Sequence, residues 1–140
     1  MIPMRLDHIA IAVRSLEDAL PFYTDALGLT CAGRETVAEQ GVHLALLPLG
    51  ESRLELLEPL SDDSPVGRFL TRRGEGVHHI AFRVDDLERA LAELRARGIR
   101  LVDETPRCGA EGRKIAFLHP ASAHGVLIEL VEVPKKEREP

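Results

Sequence analysis

The chain has 140 residues, of which 44% are hydrophobic and 29% charged, and its net charge at pH 7 is -5. This balance is typical of one globular domain with its own core and argues against a disordered chain. The acidic charge, without a basic stripe, argues against a nucleic-acid partner, and no apolar run approaches the roughly 20 residues that span a bilayer, so we expect no membrane partner either.

The N-terminal residues lack the pattern of a signal peptide, and the two cysteines do not suggest a disulfide framework. MIPMRLDHIAIAV has no basic stretch followed by an apolar run and a cleavage site. Cys31 and Cys108 lie far apart and have no metal-like spacing. We therefore expect a cytoplasmic protein with two free thiols.

The first half predicts a strand, a helix and three further strands. Residues 6–13 are rich in Ile, Val and Ala, as strands are. Ser15 is a suitable N-cap for a helix whose apolar residues continue to Leu27 at helical spacing, and Gly28 should end that helix. The three strand-like runs that follow lie near 30–38, 42–48 and 53–58.

The second half predicts the same order of elements after a connecting segment with a short helix near 66–72. Residues 77–84 are strand-like, Asp86 is a suitable N-cap, and Gly98 should end the helix that follows. The last three strand-like runs lie near 100–104, 113–118 and 126–132.

The two halves are an internal repeat. DHIAIAVRSLEDAL (7–20) aligns with HHIAFRVDDLERAL (78–91) at an offset of 71, and LELLEP (54–59) aligns with IELVEV (128–133) at an offset of 74. The sequence therefore predicts an α+β fold of two tandem βαβββ modules that form an eight-stranded, incompletely closed, bowl-like sheet. We expect a single domain over 1–140, which we divide into module one at 4–60, a connecting segment at 61–75, module two at 76–133 and a charged tail at 134–140.

Two histidines and two glutamates occupy equivalent places in the repeat. His8 and His79 lie near the starts of equivalent strands, and Glu55 and Glu129 lie inside equivalent final strands between apolar residues. Because neighbours in a strand point to opposite faces, both carboxylates should lie opposite the face that packs on the helices. Two imidazoles and two carboxylates suit a divalent first-row metal and leave coordination positions open, as catalytic sites do.

Several segments resemble methylmalonyl-CoA epimerases of the vicinal oxygen chelate superfamily, from Leu6 to about Val133. The segments that carry the resemblance are DHIAIAV, EQGV, LELLEP, VHHIAFRVDD, GRKIAFLHP and GVLIEL. The resemblance implies a homodimer, an acyl-CoA substrate and a divalent ion, with Co²⁺ favoured over Mn²⁺, Ni²⁺ and Zn²⁺. It assigns the metal ligands to His8, Glu55, His79 and Glu129, with Glu55 often replaced by Gln in relatives.

The resemblance also implies that the α-proton of a malonyl-type thioester is removed and returned through an enolate that the metal stabilises. Glu129 and Lys114 are the candidate proton-transfer residues. Some members of the family carry a second carboxylate at the position of Leu44, where this chain has an aliphatic side chain, so His43, Glu39 and a metal-bound water stay open as alternatives to Lys114. Backbone amides near 121–125 are expected to donate hydrogen bonds to the substrate carboxylate.

Two other functions fit the same repeat. A glyoxalase I-type lyase that acts on a glutathione hemithioacetal would use a similar metal and proton transfer. A metal-free protein that sequesters a drug such as bleomycin would share the fold but generally lack the full ligand set. The epimerase-like segments FLHP and GVLIEL, and the presence of all four ligand residues, favour the epimerase.

Overall fold

The structure, a computed structural model, describes residues 4–133, so the predicted charged tail lies outside the described residues. The chain folds into two compact units. Of the described residues, the first unit contains 8–78, and the second contains 4–7 together with 79–133. The predicted single domain and its module boundaries stay predictions.

The first unit is a four-stranded mixed sheet with two helices. The elements are β1 (Arg5–Ala12), α1 (Leu16–Pro21), β2 (Gly33–Val37), a 3₁₀ turn (Ala38–Gln40), β3 (Val42–Leu49), β4 (Ser52–Pro59) and α2 (Pro65–Arg73). The strands have the order β2-β3-β4-β1, with β1 parallel to β4 and the other neighbours antiparallel. Helix α1 packs on one face of this sheet through Leu16 and Leu20.

The second unit repeats this arrangement. The elements are β5 (Gly76–Val84), α3 (Leu87–Ala96), β6 (Arg107–Cys108), β7 (Lys114–Leu118), β8 (Ile128–Glu132) and 3₁₀ turns at Ala110–Gly112 and Pro120–Ser122. The strands have the order β5-β8-β7-β6, again with one parallel pair, β5 and β8, and antiparallel neighbours. Helix α3 packs on the sheet through Leu87 and Leu91.

These elements confirm the predicted α+β fold of eight strands in two βαβββ modules. The predicted N-caps are also confirmed, because Ser15 Oγ accepts from the Asp18 amide and Asp86 Oδ1 accepts from the Arg89 amide. Within residues 4–133, no helix is long and apolar enough to cross a bilayer.

The end of the first helix differs from the prediction. Helix α1 stops at Pro21, and a π-helical turn (Phe22–Ala26) carries the chain to Gly28, which has a φ of 78° as a C′ glycine does. Proline has no N–H to donate to the preceding turn, and a π turn advances the side chains out of the 3.6-residue period. Leu27, predicted to lie on the apolar face, is therefore 55% exposed.

The strand predicted near 100–104 is also wrong. Only Leu101 forms an isolated bridge there, to Leu118, and the outer strand of this sheet is the two-residue β6. The Asp103 carboxylate accepts the Phe117 amide at 2.8 Å in place of a backbone carbonyl, and Pro106 has no N–H to offer to a ladder. The side-chain bond thus replaces regular strand pairing at this edge.

Glu58 and Glu132 cap the two sheet-packed helices. The amide of Leu16, the first residue of α1, donates to Glu58 Oε1 at 2.8 Å, and the amide of Leu87, the first residue of α3, donates to Glu132 Oε1 at 3.1 Å. Because first-turn amides have no partner within the helix, each carboxylate stabilises its helix by hydrogen bonding and by opposing the helix dipole.

Replacing Glu58 with Ala is expected to lower the free energy of unfolding by about 1 kcal/mol, the usual cost of losing an N-terminal cap. Urea denaturation with unchanged m-values would measure this loss. Glu39, which is exposed in the same unit, provides the matched control, and Glu39→Ala should leave stability within about 0.5 kcal/mol. Equal stabilities of the two variants would contradict a capping role for Glu58.

Candidate active site

Both predicted carboxylate ligands lie on the sheet face opposite the packed helix of their unit. In β4, Leu54 and Leu56 contact the α1 core, so Glu55 between them points away from α1. In β8, the apolar neighbours of Glu129 contact the α3 core in the same way. Each glutamate is 3% exposed, so these are buried polar positions rather than solvated ones.

The first unit brings His8 and Glu55 together. His8 Nδ1 lies 3.3 Å from Glu55 Oε2, and both side chains are about 95% buried. Arg53, two residues before Glu55 on the same strand, donates to the same oxygen from Nε at 3.1 Å and from Nη2 at 2.9 Å. Arg53 therefore fixes the Glu55 carboxylate and offsets its negative charge.

The second unit brings His79 and Glu129 together at the same spacing. His79 Nε2 lies 3.3 Å from Glu129 Oε1, again with both side chains buried. Phe117, directly opposite Glu129 on β7, packs its ring edge-to-face on His79 with 5.3 Å between ring centroids. The aromatic contact restricts the imidazole to an orientation in which it faces the carboxylate.

The donor sets of both pairs fit a divalent metal ion. At metal–ligand distances of about 2.0–2.2 Å, adjacent donors on an octahedral or tetrahedral ion lie about 3.0–3.5 Å apart. The 3.3 Å separation in each pair falls in that range. Buried charges are normally paired or coordinate metals, and a carboxylate beside an imidazole can do either.

Lys114, predicted to transfer a proton, lies on the other face of its sheet. It precedes Ile115, which pairs in register with Val131, and its Nζ lies 4.0 Å from the carboxylates of Glu88 and Glu132 beside helix α3. Strand alternation separates it from Glu129, which points to the opposite face. A catalytic role for Lys114 therefore stays a prediction that these contacts do not support.

The other proton-transfer candidates are placed as follows. His43 pairs with Glu58 in register and so lies on the α1 face, where its Nδ1 is 2.6 Å from Thr36 Oγ1. Leu44 points to the same face as Glu55 but is 1% exposed and aliphatic. Glu39 is in an exposed 3₁₀ turn. The first unit thus provides no second carboxylate at position 44.

The turn between β7 and β8, expected to bind a substrate carboxylate through its amides, uses most of these amides for hydrogen bonds within the turn. The Ala121 amide donates to His119 Nδ1 at 3.0 Å, and the Gly125 amide donates to the Pro120 carbonyl at 2.9 Å. The amides of Ser122 and Ala123 also donate within the turn. A substrate anion would have to break these bonds to use the same donors.

Sequence reasoning missed two arginine contacts at these strands. Arg53 could have been found from its position, because residues i and i+2 of a strand share a face. The second contact joins Asp7, which is 5% exposed, to Arg113 Nη2 at 2.8 Å and to Arg83 Nε at 3.4 Å. No local signal pairs Asp7 with residues more than 70 positions away.

Comparisons with known proteins place the chain in a family. The family model described as Glyoxalase/Bleomycin resistance protein/Dioxygenase superfamily matches residues 7–117. The uncharacterized protein YqjC of Bacillus subtilis is 49% identical over 134 residues, which is 96% of this chain and 95% of YqjC. The mitochondrial methylmalonyl-CoA epimerase of Homo sapiens is 41% identical over 127 residues, which is 90% of this chain and 72% of the human protein.

Solved structures agree with the sequence relatives. A methylmalonyl-CoA epimerase in complex with methylmalonyl-CoA and NH₄⁺ matches with a TM-score of 0.90 and 43% identity, over 94% of this chain and 96% of that chain. The epimerase of Mycobacterium tuberculosis matches with a TM-score of 0.88 and 42% identity, over 96% and 91% of the two chains. The chain therefore belongs to the glyoxalase/bleomycin resistance protein/dioxygenase superfamily and, within it, to the family of methylmalonyl-CoA epimerases.

Proposed function

We propose that this chain is a metal-dependent methylmalonyl-CoA epimerase that interconverts the (R) and (S) epimers of its substrate. The observation that carries the proposal is the duplicated His–Glu pair: two buried pairs, each with a 3.3 Å donor separation, at repeat-equivalent positions. They lie in a chain that is 41% identical to the human epimerase. The epimerase solved with methylmalonyl-CoA indicates an acyl-CoA substrate.

We further propose that His8, Glu55, His79 and Glu129 hold one divalent ion between them, with Co²⁺ favoured over Mn²⁺, Ni²⁺ and Zn²⁺. Support comes from the equal spacing of the two pairs and from similarity to solved epimerases over 94% of the chain. Such an ion would supply Lewis-acid stabilisation of the negative charge that develops on the thioester oxygen.

Within this site we assign different roles to the two carboxylates. Glu129 takes the α-proton of the substrate. Its carboxylate lies beside the imidazole of His79 and is buried, so water does not compete with it for the proton. Glu55 is a ligand whose carboxylate Arg53 holds through Oε2. Leu44 supplies no acid, so the proton that returns to the other face comes from a different group.

The two alternative functions have less support. The superfamily description includes glyoxalases and bleomycin resistance proteins, but the human relative and the solved structure that match over 90% or more of the chain are epimerases. A drug-sequestering protein would have no use for two buried His–Glu pairs with metal-like spacing. The homodimer and the cytoplasmic location stay predictions from the sequence.

Incubation of the cobalt-loaded protein with each methylmalonyl-CoA epimer in D₂O tests the proposal. We expect each epimer to convert into the other and deuterium to enter at the α-carbon, followed by NMR and mass spectrometry. The same preparation should neither convert the hemithioacetal of methylglyoxal and glutathione nor bind bleomycin. Absence of interconversion with cobalt, manganese, nickel and zinc alike would overturn the proposal, and exchange from a single face would exclude a second proton-transfer group.

A further inference from the structure

Arg107 lies on the same face of the second unit as His79 and Glu129. It pairs in register with Ile115 on β7, and Ile115 pairs with Val131 on β8. Residues paired across neighbouring strands share a face, and Val131 and Glu129 are two positions apart on one strand, so their side chains share that face as well. Arg107 is thus in the outer strand β6, and its side chain is on the sheet face that also carries Glu129, the proposed base.

A single aromatic ring links Arg107 to the histidine. The guanidinium carbon of Arg107 lies 5.5 Å from the centroid of the Phe117 ring, and the same ring packs on His79 at 5.3 Å. Phe117 is also directly opposite Glu129 in register. Arg107 and His79 therefore contact the same ring, and the cation–π contact positions the guanidinium near the His79–Glu129 pair.

Asp103 holds the inner edge of this guanidinium. Its carboxylate lies 3.4 Å from Arg107 Nε and is fixed in turn by the Phe117 amide, which donates to Oδ2 at 2.8 Å. The contact is an ion pair without a hydrogen bond, because Arg107 Nε is buried and has no hydrogen-bond partner. Among residues 4–133, Nη1 and Nη2 of Arg107 make no hydrogen bond either, and the side chain is 37% exposed. Nη1 and Nη2 of the Arg107 guanidinium are thus available to donate hydrogen bonds to another molecule.

A substrate of this kind needs such donors. Acyl-CoA thioesters of malonic acids carry a free carboxylate at one end and phosphates at the other, and guanidinium groups recognise both through paired hydrogen bonds. The turn between β7 and β8, the expected carboxylate site, already uses the Ala121 and Gly125 amides internally. An oxyanion that approaches the His79–Glu129 face therefore meets Arg107 as an available donor pair.

We propose that Arg107 binds an oxyanion of the thioester substrate, either its free carboxylate or a phosphate of its CoA portion. This inference rests on the proposed epimerase function for the identity of the substrate. Asp103 and Phe117 act as positioning residues, because they orient the guanidinium before the substrate arrives. Preorganisation of this kind reduces the entropy cost of binding.

The test compares Arg107→Met and Arg107→Lys with Arg89→Met, which removes the same charge from an exposed position on α3. Calorimetric titration uses two probes: CoA, which has the phosphates without the carboxylate, and methylmalonyl-pantetheine, which has the carboxylate without the nucleotide phosphates. We expect Arg107→Met to raise the Kd of one probe by about 10- to 100-fold, as for a charge-assisted pair of hydrogen bonds. Arg107→Lys should fall between, and Arg89→Met should stay within about two-fold of wild type.

The probe that loses affinity identifies the group that Arg107 binds. In the turnover assay, Arg107→Met should raise KM for methylmalonyl-CoA far more than it lowers kcat, whereas a purely structural defect would lower kcat and the melting temperature together. Kd values within two-fold of wild type for both probes, or no binding of either probe to the wild-type protein, would overturn the inference. Wild-type epimerase activity is measured separately, so a failure of the proposed function is recognised on its own.

Discussion

Glu129→Gln is expected to lower kcat for methylmalonyl-CoA epimerisation by about 10²–10⁴-fold, the range typical of losing a general base. Glutamine keeps the size of the side chain and a donor oxygen for a metal, but it cannot accept the α-proton. The carboxylate lies 3.3 Å from His79 Nε2 and is 3% exposed, so water provides no ready substitute. A coupled spectrophotometric assay of both epimers measures the loss.

Glu132→Gln is the matched control for this variant. It lies three residues further along the same strand, but its carboxylate accepts the Leu87 amide on the α3 face. We expect kcat close to wild type, with a lower melting temperature from the weakened cap. If Glu129→Gln kept more than a tenth of wild-type kcat, the assignment of Glu129 as the base would be wrong.

His79→Ala is expected to weaken cobalt binding by at least about 100-fold, because it removes one of four proposed ligands and leaves its partner carboxylate with water alone. His8→Ala should have an effect of similar size, since the two histidines are repeat-equivalent and each lies 3.3 Å from its glutamate. Isothermal titration with Co²⁺ and elemental analysis of the purified proteins measure both losses.

His78→Ala controls for the histidine substitutions. This imidazole is the neighbour of His79 on β5 and packs edge-to-face on Phe69 at 5.0 Å, so its removal should leave cobalt affinity unchanged. If His79→Ala weakened binding while His8→Ala did not, the pair in the second unit would bind metal without the first. Wild-type affinity in both variants would remove the proposed metal site altogether.

Much of the site could be predicted because strand alternation and duplication are local, periodic properties. Leu54 and Leu56 on either side of Glu55 are enough to place its carboxylate opposite the helix face, and the structure places it there. The repeat predicts the same orientation for the Glu129 carboxylate, opposite the face that packs on α3. Each His–Glu pair joins residues on two neighbouring parallel strands, the topology that a βαβββ module produces.

Departures from the prediction came from single residues that override a pattern. Leu27 has the helical spacing of a core residue, yet Pro21 interrupts the α-helix and a π turn moves Leu27 outward. Residues 100–104 have strand-like composition, yet the Asp103 side chain takes the amide that a strand partner would have used. A periodic pattern of apolar residues reflects the average of many positions. The two departures depend instead on one missing N–H or one side-chain acceptor, which such a pattern does not register.

Arg53 makes the two related carboxylates chemically unequal. Glu55 has a guanidinium two residues before it, donating twice to one oxygen, whereas Glu129 has the aliphatic Leu127 at the corresponding place. The internal repeat gives each unit a His–Glu pair of the same spacing, and the residue two positions before the glutamate distinguishes the two units. Under the proposed function, a carboxylate that a guanidinium holds suits the role of a fixed ligand, and proton transfer is the role of Glu129.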